Sequence, residues 1–86
     1  MHKTIWKFPL NVMPSQWITV PSDSKALSID VQSGVPCLWM LLDPNAPTTA
    51  RKIHCFGTGQ DVDAAHDQFI GTVLVGPYVW HYFWGE

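Results

Sequence analysis

The stretch ALSIDVQSGVPCLWMLLDP, residues 26–44, restricts the fold of this chain more than any other. Leu27, Ile29 and Val31 alternate with Ser28, Asp30 and Gln32, and a side-chain period of two is that of an antiparallel strand with one face buried. Ser33-Gly34 follows, a pair suited to a hairpin turn that needs positive φ. The apolar run from Val35 to Leu42 does not alternate, which predicts a central strand covered on both faces. Pro36 lies near its start, where a missing N–H costs least.

The same signals recur along the chain, and no stretch of comparable length keeps helical spacing. DPNAPTTA carries two prolines and reads as a loop. In RKIHCFG, Ile53, Cys55 and Gly57 share one face of an extended segment while Lys52, His54 and Phe56 share the other. In QFIGTVLVGPYVWHYFWGE, Gly76-Pro77 separates two strand-like runs at about 68–75 and 78–84. TIWKFPL and QWITV flank NVMPS and are expected to form a further hairpin. Six or seven short strands with frequent turns predict one all-β domain over residues 1–86, a small antiparallel barrel or sandwich. At most one helical turn is expected, around Val62 to His66.

A chain of 86 residues buries only about 60 to 65 per cent of its unfolded surface, so its core is small. Charged residues make up 14%, well under the roughly 25 per cent of an ordinary soluble domain. The net charge of −2 lacks the basic footprint needed to hold duplex nucleic acid by its phosphates. No segment has the length of a membrane span or a signal peptide. With two cysteines, Cys37 and Cys55, there is no disulfide framework, and a cytosolic protein with reduced thiols is expected.

The aromatic content is the unusual term. Five Trp, four Phe and two Tyr give 13% of the chain, and five of these rings stand in PYVWHYFW. Tyr78, Trp80, Tyr82 and Trp84 fall on one face of that strand, with Val79, His81 and Phe83 on the other. A two-layer domain can bury only one of the two faces, so the other is expected to meet a partner. A second copy of the chain fits, because homodimer interfaces are apolar and strand edges pair readily. A ligand with a flat ring also fits, because stacking a base on an aromatic side chain contributes roughly 1 to 3 kcal/mol.

The segment IHCFGTGQDVDAAHDQFIGT, residues 53–72, concentrates the polar chemistry. Gly57, Thr58, Gly59 and Gln60 could turn their backbone N–H groups toward an anion. The same residues could equally make a turn that needs positive φ. The spacing matches neither the dinucleotide fingerprint nor the P-loop. Metal binding by His54, Cys55, Asp61, Asp63 and His66 is not expected, since adjacent His54 and Cys55 point to opposite faces and no zinc or calcium pattern is present. Both cysteines read as small core residues, and no catalytic residue or cofactor is assigned.

Four blocks, KTIWKFPL, VQSGVPCLWMLLDPNAP, FGTG and FIGTVLV followed by WHYFWGE, together resemble a family of small proteins encoded by tailed bacteriophages and prophages. Phe8 stands where that family usually has tyrosine, and Gln60 follows the Gly-Thr-Gly where histidine is common. The family carries no established activity, so the resemblance implies a setting: an accessory phage protein in bacterial cytoplasm, with counter-defence a frequent task. The expectation is therefore a homo-oligomer that sequesters a nucleotide-type immune signal between protomers. Arg51, His54 and the Gly57–Gln60 backbone would hold phosphate, and Trp80 and Tyr82 would stack the base. The alternatives are a module that inhibits a host defence protein through its aromatic face, or a structural phage component.

Overall fold

The computed structural model describes residues 2–63 and 68–85. Seven strands form: β1 (Thr4–Pro9), β2 (Ser15–Pro21), β3 (Lys25–Gln32), β4 (Val35–Leu42), β5 (Thr48–Gly57), β6 (Phe69–Val75) and β7 (Tyr78–Trp84). They build two antiparallel sheets, one in the order β1-β4-β3 and one in the order β2-β5-β7-β6. The sheets stay open and face each other as a sandwich. The shortest dimension of the backbone is 16 Å, which accommodates two sheets packed about 10 Å apart and nothing more.

Turn chemistry sets both pairings between sequence neighbours. Ser33 and Gly34 both have positive φ, 53° and 79°, the requirement of the type I′ turn that matches strand twist, and they join β3 to β4. Between β6 and β7, Gly76 has φ 58° and Pro77 supplies a fixed negative φ, the signs of a type II′ turn. The expected hairpin around NVMPS does not form. β1 pairs with β4 and β2 with β5, so residues 10–14 carry the chain from one sheet to the other. Local pattern cannot distinguish these outcomes, because two prolines and a polar turn suit a crossover as well as a hairpin. Of the expected helical turn, Val62 and Asp63 adopt no regular structure and residues 64–66 lie outside the described chain.

The core lies between the sheets. Leu38, Met40 and Leu42 of β4 meet Ile53 and Cys55 of β5, Val73 of β6 and Tyr82 of β7, with Val20 and Leu10 completing the cluster. On the outward face of β4 only Cys37 is fully buried, while Trp39 and Leu41 are half-exposed, so the central strand is covered on one face and only partly on the other. The alternation in β3 is broken by an irregularity between Ala26 and Ser28. It leaves Leu27 48% exposed while Ala26, Ile29 and Val31 pack on the core. An extra residue shifts the faces by one position, and a pattern of two cannot reveal it.

β3 and β6 close one side of the sandwich, and Gly71 makes that closure fit. A Cβ placed on Gly71 would fall far inside contact distance of the Ile29 Cγ2 atom. Gly71 follows a second register irregularity, between Phe69 and Gly71, that brings β6 against β3. Gly71→Ala is therefore expected to destabilise the fold by about 1 to 3 kcal/mol through overpacking, measured by denaturant unfolding. Combining it with Ile29→Ala, which removes the opposing methyl groups, should cost less than the two single changes added together.

Candidate functional site

β7 is the aromatic strand, and its two faces have separate fates. Trp80, Tyr82 and Trp84 turn inward and pack on the core. Tyr82 is fully buried, and its hydroxyl donates to the Asn11 carbonyl at 3.0 Å. Outward, Phe83 packs edge-on against Phe56 (ring centroids 5.7 Å apart, planes at 78°) and against Phe69 (5.2 Å, 60°). Part of the outward ring surface is thus covered by its own neighbours on β5 and β6. Phe69 nevertheless keeps 56% of its surface exposed.

The Gly-Thr-Gly segment is a turn closed by its own side chain. Gln60 N–H donates to the Gly57 carbonyl at 3.1 Å, and Gly57 N–H donates to Gln60 Oε1 at 2.8 Å. Gly59, at the third position, has φ 89°, as a type II turn requires. Gly57 serves a different end. It stands opposite Trp80 in the ladder, and a Cβ there would come within 3.3 Å of Trp80 Cζ3. A missing side chain lets the indole lie flat across the neighbouring strand.

These two turns bound a cleft. Gly57 and Thr58 form one wall and Pro77, Tyr78, Val79 and Trp80 the other, around a volume of ≈ 450 Å³. This falls in the range of about 300 to 1,000 Å³ typical of small-molecule sites. Tyr78 and Trp80 point to the same side of β7, with ring centroids 6.1 Å apart and planes at 35°. Trp80 also borders a smaller apolar recess of ≈ 160 Å³, lined by Val12, Met13, Pro14 and Cys55. Beside the cleft, Thr58 Oγ1 lies 2.8 Å from His81 Nε2 and Thr72 Oγ1 lies 2.8 Å from His81 Nδ1. A neutral imidazole has one donor and one acceptor nitrogen, so one hydroxyl donates to the ring and the other accepts from it.

The structure divides the residues singled out from the sequence. Gly57, Thr58 and Trp80 come together at the cleft, and Gly59 and Gln60 complete the turn that carries Gly57 and Thr58. Arg51 lies six residues from Gly57 along β5, about 20 Å at the usual strand rise. Its guanidinium stacks on Trp84, with Cζ 3.6 Å from the ring centroid, and burial lowers its pKa. His54 sits on the outward face of β5 beside Phe56, ring centroids 6.3 Å apart. Tyr82 stands beneath the cleft, inside the core. Burial and the neighbouring Cys55 push its phenol well above its ordinary pKa, and burial also raises the Cys55 thiol. Tyr78 and Pro77 were missed as cleft residues. The signal available was a Gly-Pro turn placed directly before an aromatic strand.

Among the described residues, no three His, Cys, Asp or Glu side chains converge as metal ligands would, and no helix is long and apolar enough to cross a membrane. His66 and Asp67 lie outside the described chain. A family model described as a domain of unknown function (DUF7352) matches residues 1–86. No curated protein and no solved structure gives a significant match.

The buried Tyr82–Cys55 pair makes stability pH-dependent on the alkaline side. Both folded-state pKa values are raised, so their contribution is fully present below the ordinary values of 9.0 and 10.0 and is lost as pH rises above them. Each group adds a slope of up to about 1.4 kcal/mol per pH unit there. In Tyr82→Phe the Asn11 carbonyl still accepts from Gln16 Nε2 at 2.8 Å, so the loss at pH 7 should be only about 1 kcal/mol. The alkaline slope of that variant should be shallower than that of the parent, as read by urea unfolding between pH 7 and 11.

Proposed function

We propose, for a chain that belongs to the DUF7352 family across residues 1–86, that its task is to bind and hold a flat, nucleotide-type ligand in the cleft between the 57–60 and 76–77 turns. One observation carries this reading: Tyr78 and Trp80 offer two rings to one side of a ≈ 450 Å³ cleft. The facing wall is backbone and a single hydroxyl. Tyr78 is 62% exposed, so it can swing over an incoming ring without unpacking the core. The described lining residues include no carboxylate, imidazole or thiol, which favours sequestration over chemistry on the ligand.

The described lining residues also carry no charge. Recognition in this cleft therefore falls on the base, with Thr58 supplying a hydroxyl at its edge. The phosphate contacts expected of Arg51 belong to no part of this reading. The resemblance to phage and prophage proteins supplies the setting, a counter-defence protein that removes a nucleotide signal of host immunity from the bacterial cytoplasm. A second reading, a module that inhibits a host defence protein, is favoured by the exposed Phe69 and Leu74 on the outward face of β6.

Thermal denaturation with nucleosides, cyclic dinucleotides, cyclic trinucleotides and ADP-ribose tests the first reading. One class is expected to raise the melting temperature, as any ligand of the folded state must, and to quench Trp80 fluorescence. Tyr78→Ala should weaken that binding roughly tenfold or more, the loss of one stacking contact, with little change in the melting temperature of the free protein. No shift with any compound, or a shift unaffected by Tyr78→Ala and Trp80→Ala, would remove the cleft as the ligand site.

A further inference from the structure

We infer that the outer edge of β2 pairs with β2 of a second copy, in an antiparallel two-fold arrangement that sets the two Trp17 residues opposite each other. The direction of the backbone groups carries this. In an antiparallel ladder the N–H and C=O of one residue point to the same side, and the side alternates along the strand. Cys55 N–H donates to the Pro14 carbonyl at 3.1 Å, so Pro14, Gln16, Ile18 and Val20 face β5. Lys52, the register partner of Trp17, turns its carbonyl away from β2 and accepts from Gly85 N–H at 2.6 Å. Both bonds agree that Ser15, Trp17 and Thr19 direct their N–H and C=O groups out of the sheet. β2 is an end strand in the order β2-β5-β7-β6.

A two-fold axis at Trp17 pairs Ser15 with the second copy's Thr19, Trp17 with Trp17, and Thr19 with Ser15. Every outward N–H and C=O of the three residues then finds a partner. An axis at Ile18 would instead set Ser15 opposite Pro21, which has no N–H and whose carbonyl already accepts from Ser24 N–H at 3.0 Å and from its hydroxyl at 2.6 Å. Backbone complementarity therefore selects the Trp17 register. The prolines at 14 and 21 mark the ends of the pairing segment.

Composition selects a copy of this chain as the occupant. Free edges of monomeric sheets are guarded by charge, and here Lys7 stands on β1 and Lys25 and Asp30 on β3, while β6 lies against β3. β2 has no charged residue, and its Trp17 is 61% exposed. Lys52 Nζ, 5.7 Å from the Trp17 ring centroid, caps the indole from the β5 side. In the pair the two β5 strands stand about 14 Å apart, so the two Lys52 backbones lie on the outer sides of the opposed Trp17 residues.

Sedimentation velocity across a broad concentration range should show a species of twice the 9.7 kDa chain mass. Trp17→Lys and Thr19→Pro should each return it to a monomer with an unchanged far-UV spectrum, since both alter outward-facing positions. Trp17→Cys should form an intermolecular disulfide under mild oxidation, because directly opposed residues have Cα atoms about 5.5 Å apart, whereas Thr19→Cys should not. A monomer at all concentrations, a dimer that persists in both edge variants, or cross-linking through Thr19→Cys in place of Trp17→Cys would overturn the assignment. A monomer that instead takes an extended peptide along β2 would also overturn it and give the edge to another protein.

Discussion

The hydrogen bond from the Tyr82 hydroxyl to the Asn11 carbonyl ties together the parts of this fold that sequence distance separates by 71 residues. Tyr82 belongs to the four-stranded sheet and is fully buried against the core. Asn11 belongs to the short crossover that carries the chain from β1, in one sheet, to β2, in the other. The crossover is held again by Gln16, which donates to the same carbonyl and accepts from Asn11 N–H at 3.0 Å. Position 82 therefore needs a ring to fill the core and a hydroxyl to reach the crossover. That dual requirement explains a tyrosine between the two inward tryptophans, Trp80 and Trp84.

The same strand organises the surface above it. Inward, Trp80 and Trp84 flank Tyr82, and each is used at its exposed margin. Trp84 receives the Arg51 guanidinium, and Trp80 lies across Gly57 to wall the cleft. A cation held on an indole at one end and an uncharged cleft at the other give a single strand two chemically distinct margins. This separation removes Arg51 from the neighbourhood of the Gly-Thr-Gly turn and shapes the functional proposal toward a base.

Much of the architecture was legible in the sequence because strands write a period of two and turns demand particular residues. Ser33-Gly34 marked its hairpin and Gly76-Pro77 the break between β6 and β7, while alternation divided β7 into two faces without telling which one turns inward. Two things escaped. One was the irregularity beside Leu27, which moves that side chain outward through an extra residue whose presence leaves no compositional trace. The other was the destination of NVMPS, since whether a short polar link returns to the same sheet or crosses to the facing one depends on strands far along the chain. The candidate site was legible in part for the same reason. Gly57, Thr58 and Trp80 converge because β5 pairs with β7, a non-local pairing that no turn signal announces, whereas Arg51 was placed near them only by proximity in sequence, and a strand carries nearby residues far apart.

Gly71 has a mechanical consequence. By letting Ile29 seat directly against β6, it binds the two layers along one side like the spine of a book, while on the side bordered by β1 and β2 the described strands share no comparable set of contacts and the layers are joined through the 10–14 crossover. Transient opening should then start at this fore-edge, leaving the spine as the last part of the molecule to admit water.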